Sequence, residues 1–231
     1  MDVNTFYKKI NNTNFGEKLK EVNNNLSLFT ASKNYNNDKL RDSYTVKSHK
    51  QPFPQADYQN AKSNKPFRKE EWICKLAYGK TFNEIGEIVD YQVPLKVTGV
   101  TKSLNAGKGK IDLLSYNKET DTAYLLEVKV DTSTESPLKA IMEAYTYWQQ
   151  INGSNPYKFL RKTVIGNQIS EKTKLKKAIV IFERNEARYL YQKFQKHKSN
   201  LEKLMNDLDI EGFIAVPDLN DNNIVQDVRR I

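Results

Sequence analysis

Apolar and polar residues alternate with a two-residue period in two neighbouring segments near the middle of the chain, 109–114 and 123–130. Such alternation is typical of β-strands, whose side chains point to opposite faces in turn. On the second strand Glu127 and Lys129 therefore share one face, and the leucine and valines around them form the other. Asp112 lies between two apolar residues of the first strand. If the strands pair, we expect two carboxylates and an ammonium on one small patch.

Helical spacing of apolar residues predicts further elements. It predicts an amphipathic helix near 14–30, a helix over 66–78 and a short helix over 81–89. Ser136 is a natural N-cap and Pro137 suits the first helical position, so a well-defined helix is expected to begin there. The other predicted elements are strands over 91–98, 178–182 and 212–216, and a helix over 186–208.

The order of these elements predicts an α/β fold with a mixed sheet between helices. Three consecutive strands favour an antiparallel meander, and the helix beginning at Ser136 favours a parallel crossover to the strand over 178–182. The core domain is predicted over 66–217. The polar residues 1–65 are interpreted as an N-terminal arm with one helix, and residues 218–231 as a flexible tail.

Composition narrows the class of partner. The 231 residues carry a formal net charge of +9, which favours a polyanionic partner, although a solvated lysine-rich surface explains the charge equally well. One cysteine, Cys74, excludes a disulfide within the chain, and two histidines are too few for a zinc site. No apolar run approaches the length of a membrane span. A cytoplasmic protein with no membrane contact is expected.

The two strands, their spacing and the capped helix after them resemble the PD-(D/E)xK nuclease superfamily. Gly109-Lys110-Ile111-Asp112 and Glu127-Val128-Lys129 carry the resemblance, which covers roughly 67–183. It implies a restriction-endonuclease-like mixed central sheet flanked by helices, here with an N-terminal extension. It also implies an enzyme that hydrolyses phosphodiester bonds with Mg²⁺, or alternatively Mn²⁺.

The resemblance implies roles for individual residues. Asp112 and Glu127 would be metal ligands, because hard oxygens suit Mg²⁺. The carbonyl of Val128 would be a third ligand. Lys129 would position the attacking water, and a lysine beside two carboxylates should stay charged at neutral pH.

The superfamily also places a glutamate on the first core helix. Glu71 is the preferred candidate, because it lies on the helix before the first strand. Glu84 is the alternative, and Glu70 and Glu87 are left open.

Some branches of the superfamily follow with a helix bearing Gln-x-x-x-Tyr. Here the matching residues are Glu143 and Tyr147, so the tyrosine is kept and the glutamine is a glutamate. Tyr147 is therefore a candidate for contacting nucleic acid, together with Lys108 and Lys110 in the turn before the acidic strand. Basic residues between 158 and 203 are interpreted either as phosphate contacts or as a solvated helix face.

The sequence thus predicts a nuclease that acts on DNA in a prokaryotic or phage defence or repair setting. The alternative is a non-catalytic nucleic-acid-binding or protein-interaction module on a degenerate nuclease fold. Taken alone, Glu127 and Lys129 are also explained as a solvent-facing charge pair on an amphipathic strand. A homodimer, and a partner protein bound through residues 1–65, are left open.

Overall fold

The computed structural model describes residues 10, 14–27, 69–95, 109–130, 136–152, 156–182, 189–218 and 224–231. Most of 1–65, the end of the predicted strand over 91–98 and Lys108 lie outside them. The strands are β1 (Thr81–Phe82), β2 (Gly86–Pro94), β3 (Lys110–Asn117), β4 (Thr122–Val130), β5 (Lys174–Phe182), β6 (Ile210–Pro217) and β7 (Val225–Arg230). The helices are α1 (Phe15–Asn24), α2 (Lys69–Ala77), α3 (Pro137–Asn152), α4 (Pro156–Leu160), α5 (Tyr189–Lys196) and α6 (Lys198–Asp207).

The seven strands that the described residues form belong to one sheet, in which their spatial order follows the chain. Strands β1 to β4 form an antiparallel meander. After the crossover through α3, β5 lies parallel to β4, and β6 lies parallel to β5. The predicted α/β class, the meander and the parallel crossover are confirmed.

Helices cover both faces of the sheet. Successive residues of β5 alternate between two clusters of buried side chains: Ile179 and Ile181 pack with α3, whereas Ala178 and Val180 pack with α2. The apolar residues of β4 that flank Glu127 also belong to the cluster of α2. Because neighbouring strand residues face opposite sides, α2 and α3 lie on opposite faces. The acidic strands are therefore enclosed between two helices.

The helix predicted near 14–30 is present as α1, but it is no appendage. Its apolar residues Phe15, Leu19 and Val22 are buried together with side chains of α3, α5 and α6. The ring of Phe15 meets the ring of His197 edge-on, with 4.7 Å between centroids. An amphipathic helix needs a surface on which to bury its apolar stripe, and the core provides it here. The interpretation of this segment as part of an arm was wrong.

The prediction of a short helix over 81–89 was also wrong. The segment forms β1, a turn and the start of β2. Ile85 and Ile88 are both buried, and their three-residue spacing imitates a helix although a tight turn produces it. Gly86 has φ +77°, and a Cβ there would collide with the backbone oxygen of Tyr116. The close approach of two strands at this turn therefore requires glycine.

The chain end is structured as well. Predicted as part of a flexible tail, Val225–Arg230 instead forms β7, antiparallel to β6. A register irregularity at Val216/Pro217 disturbs the regular alternation, and Val225 and Val228 both join the core. The three-residue spacing of these two valines does not match the two-residue period of a strand. For this reason the sequence pattern did not predict β7.

The helix predicted over 186–208 is divided into α5 and α6, which meet at His197. Among the helices within the described residues, none combines the length and apolar character needed to cross a membrane.

Candidate active site

The side chains that the strand pattern was expected to bring together do meet. The β3–β4 ladder ends at the pair of Leu113 and Leu126, and Asp112 and Glu127 are the next residues of the two strands. The carboxylate of Glu127 accepts a hydrogen bond from Lys129 Nζ at 2.6 Å. All three side chains are buried, with 5%, 4% and 3% of Asp112, Glu127 and Lys129 exposed. A solvent-facing charge pair does not describe this arrangement.

Asp112 is held from both neighbouring strands. Its Oδ2 accepts a hydrogen bond of 2.9 Å from the backbone N–H of Val128 on β4. Its Oδ1 accepts one of 2.7 Å from the side-chain amide of Gln92 on β2. Sequence reasoning missed Gln92, because an amide within a strand carries no signal of its own. The two bonds fix the orientation of the carboxylate.

Lys129 lies among carboxylates from three elements. Besides Glu127, its Nζ lies 2.9 Å from Glu143 Oε2 on α3 and 3.7 Å from Glu70 Oε2 on α2. Glu143 is buried, whereas Glu70 is partly exposed. Glu143 was identified in the sequence only as a departure from a motif, and its contact with Lys129 was not foreseen. The cluster therefore joins the sheet to the helices on both of its faces.

Counted over the described residues, the cluster holds more acid than base. Burial raises the pKa of Glu127 well above its usual range, and Asp112 raises it further, against the opposing effect of Lys129. Burial likewise raises the pKa of Asp112. Burial alone would lower the pKa of Lys129, but Glu127, Glu143 and Glu70 together raise it well above its usual value. Lys129 is therefore a permanent cation, and the surplus of carboxylates favours a further cation.

The donor chemistry suits a hard metal ion. Glu127 Oε2 is buried and accepts no hydrogen bond from a nitrogen donor of the described residues, although a hydrogen bond with the Glu143 side chain also raises the pKa of Glu127. A buried carboxylate oxygen without a donor is costly, and a cation would satisfy it. Within the same part of the chain, however, no three histidine, cysteine or acidic side chains already stand in the geometry of a metal site.

The first core helix contributes a different glutamate from the preferred one. Glu71 Oε1 lies 2.9 Å from Lys75 on its own helix, whereas Glu70 faces Lys129. Successive helical residues differ in direction by roughly 100°, which is enough to separate the two. Glu84 lies in the turn between β1 and β2, 3.6 Å from Arg230. Glu70, which was left open, is thus the candidate that lies near Lys129, and Glu84 lies in a turn rather than on a helix; which glutamate completes the site stays a prediction.

The candidates for contacting nucleic acid fall near the start of β3. Lys110 is its exposed first residue. Tyr147 is partly buried, and its ring lies so close to Gly109 that a Cβ there would collide with it. Gly109 has φ +76°, so this position favours glycine for two reasons. Contacts of Lys110 and Tyr147 with nucleic acid stay predictions.

The basic residues between 158 and 203 do not share one environment. Lys158, Lys174 and Lys203 are exposed. Lys177 instead is buried, with Nζ 5.0 Å from the centroid of the Trp148 ring and 3.4 Å from Asp209. Lys177 is thus part of the packing beneath α3, while the exposed members keep both interpretations given above.

Comparisons with known proteins identify no relative of this chain. The chain matches no family model, and comparison with curated proteins and with solved structures finds no significant similarity. A functional assignment therefore rests on the geometry of Asp112, Glu127, Lys129 and their neighbours.

Proposed function

We propose that the protein is a Mg²⁺-dependent nuclease that hydrolyses phosphodiester bonds, with DNA as its expected substrate and Mn²⁺ as an alternative ion. The observation that carries the proposal is the buried meeting of Asp112, Glu127 and Lys129 on adjacent strands. An isolated Glu-x-Lys tripeptide is weak evidence of a nuclease site. Complete burial of three ionisable side chains costs free energy, however, and such groups are concentrated at functional sites.

The order of elements supports placement in the PD-(D/E)xK superfamily with its restriction-endonuclease-like fold. A helix precedes the meander, Asp112 lies on its third strand β3, and Glu127 and Lys129 lie on the fourth strand, β4. The helix α3 then crosses to a parallel strand. This is the succession that the resemblance implies.

In this function Asp112, Glu127 and the carbonyl of Val128 would hold the ion. A bound Mg²⁺ would neutralise charge on the phosphate and lower the pKa of the attacking water. Asp112 is already oriented by two N–H donors, and Glu127 has one oxygen that accepts no hydrogen bond from a nitrogen donor of the described residues. The chain thus supplies preorganised oxygen ligands, which lowers the cost of binding the ion.

Lys129 would orient the water and offset charge on the phosphate. In hydrolysis the water oxygen forms a bond to phosphorus, the bond to the leaving oxygen breaks, the attacking water gives a proton to solvent, and the leaving oxygen takes up a proton from solvent. Because the carboxylates around Lys129 raise its pKa, it is a poor acceptor for the proton of the attacking water. We therefore assign it an electrostatic and orienting role rather than that of a general base.

The net charge of +9 supports a polyanionic substrate. Exposed Lys110 is two residues from Asp112 in the chain and is expected to contact the phosphate backbone close to the scissile bond. A prokaryotic or phage defence or repair setting is part of the proposal.

A second candidate is a non-catalytic nucleic-acid-binding or protein-interaction module on the same fold. It is favoured by the ammonium of Lys129, which already contacts both Glu127 and Glu143 and so neutralises part of the acidic cluster. Such a protein would bind polyanions in a salt-sensitive manner without turnover.

The two candidates are separated by incubating the full chain with labelled linear, circular and single-stranded DNA and with RNA. Each substrate is tested with Mg²⁺, with Mn²⁺ and with EDTA, and binding is measured in Ca²⁺ at two salt concentrations. Cleavage that requires Mg²⁺ or Mn²⁺ supports the nuclease. Salt-sensitive binding without cleavage of any substrate contradicts it and supports the binding module.

A further inference from the structure

Gln92, on β2, has a backbone conformation that is rare for a residue with a side chain. Its φ is +49°, in the left-handed region. Among the described residues other than glycine, this region is shared only with Asp121 and Asp209, which lie in turns. Aspartate tolerates the conformation better than most residues, and turns often require it. Neither explanation applies to Gln92, which is not an aspartate and lies inside a strand rather than in a turn.

The unusual conformation coincides with a contact to Asp112. Tyr91 pairs with Leu113 and Val93 pairs with Ile111, so Gln92 lies opposite Asp112 across the β2–β3 ladder. Its side-chain Nε2 donates to Asp112 Oδ1 at 2.7 Å. The two neighbours of Gln92 in the strand are buried, whereas Gln92 itself is only partly so. Packing of the core therefore does not explain why a glutamine stands here.

The contact completes a clamp on Asp112. Val128 N–H binds Oδ2 from β4, and the amide of Gln92 binds Oδ1 from β2. One donor would leave the carboxylate free to rotate about its last bond, whereas two donors from opposite sides fix that rotation. Donors of this kind, one step removed from an ion, set the orientation and affinity of the ligand that they hold.

We propose that Gln92 is a positioning residue, which holds Asp112 in the orientation needed to receive a divalent cation, and that the strained backbone is kept for this contact. Strain retained at a functional site, rather than relieved by glycine, is a recurrent feature of proteins. The inference rests on the proposed function, because it assigns Asp112 to a metal site.

The test is the Gln92→Gly variant, which removes the amide and relieves the positive φ together. We expect its thermal midpoint to lie roughly 2–4 °C above that of Gln92→Ala, because both variants lose the donor to Asp112 and only Gln92→Ala keeps a side chain at the positive φ. Its affinity for Mn²⁺, measured by calorimetry without nucleic acid, is expected to fall about tenfold or more. Cleavage by the same variant is expected to fall at least as far.

Two further variants distinguish positioning from general structure. Gln92→Asn keeps a residue that tolerates the conformation, but its side chain is one methylene shorter and should lose Mn²⁺ affinity as Gln92→Gly does. Asp209→Gly makes the matched change at a second positive φ, in the turn before β6. It should leave Mn²⁺ affinity and cleavage within about twofold of the wild type.

The outcomes separate this inference from the proposed function. Wild-type Mn²⁺ affinity in Gln92→Gly overturns the positioning role, and so does a wild-type protein that binds no Mn²⁺. A thermal midpoint of Gln92→Gly that is no higher than that of Gln92→Ala overturns the claim of retained strain. If the wild type binds Mn²⁺ and Gln92→Gly does not, but no substrate is cleaved, the positioning role stands and the nuclease proposal fails.

Discussion

Lys129 on β4 and Glu143 on α3 form a buried ion pair, with 2.9 Å between Nζ and Oε2. The pair ties the crossover helix α3 to the strand before it. Lys129 also contacts Glu127, so one ammonium serves at least two buried carboxylates. Whatever the reaction, removal of this cation leaves uncompensated charge in the interior, and removal of Asp112 does not. This difference governs which variants can test the site.

The Lys129→Met variant should therefore be strongly destabilised. Removing one member of a buried ion pair typically costs about 3–5 kcal/mol in the free energy of unfolding. Adding Glu143→Gln should restore part of that loss, because it removes one of the abandoned charges. Urea unfolding of the two single variants and the double variant measures the coupling.

The matched control is Lys203→Met, which breaks an exposed pair with Asp207 four residues along α6. Its free energy of unfolding should change by no more than about 0.5 kcal/mol. Equal losses in Lys129→Met and Lys203→Met would contradict the buried cluster. A loss of activity in Lys129→Met is informative only once its folding has been shown.

Stability should fall as pH rises, owing to Glu127. Burial and Asp112 raise the pKa of Glu127 in the folded protein, so the folded state retains a proton that the unfolded chain releases above about pH 4.3. The free energy of unfolding, measured with urea in EDTA, should therefore decline from that pH towards the folded-state pKa. Lys129 adds no slope there, because its raised pKa matters only at alkaline pH.

Glu127→Gln removes the titrating group at nearly constant volume. The difference in free energy of unfolding between wild type and Glu127→Gln should change with pH between about 4.5 and 7.5, in favour of the variant as pH rises. A difference that is constant over this range would show that Glu127 titrates normally.

The α1 helix should contribute directly to core stability. Leu19 is 1% exposed and packs among residues of α3 and α6. Leu19→Ala should cost about 2–5 kcal/mol in the free energy of unfolding, whereas Lys20→Ala on the exposed side of the same helix should cost less than about 0.5 kcal/mol. Similar small effects of both variants would mean that residues 14–27 are an appended arm after all.

The sequence predicted those parts of the fold whose signals are local. Alternation located Glu127 and Lys129 correctly, and the cap at Ser136 located α3. The errors arose where spacing was ambiguous, as in the turn before Gly86, or where a register irregularity disturbs the alternation, as in β7. Both need knowledge of the neighbouring strand.

The same reason explains what was missed in the site. Gln92 reaches Asp112 only because β2 pairs with β3 and because Gln92 has an unusual φ. Neither feature can be predicted from local sequence pattern. Glu70 and Glu71 are adjacent in the chain, so only the rotation of α2 against β4 decides between them. Local pattern thus predicted the acids and the lysine, and long-range packing determined their partners.

The most direct test of the central claim is the rate of Mg²⁺-dependent cleavage by Asp112→Asn. The variant keeps the volume of the side chain and removes the metal-binding charge, and Asp207→Asn on α6 is its matched control. We predict that Asp112→Asn remains folded, by circular dichroism and thermal midpoint, and that its cleavage falls at least about a hundredfold, with Asp207→Asn unchanged. Cleavage by folded Asp112→Asn at the wild-type rate would contradict the assignment of this site.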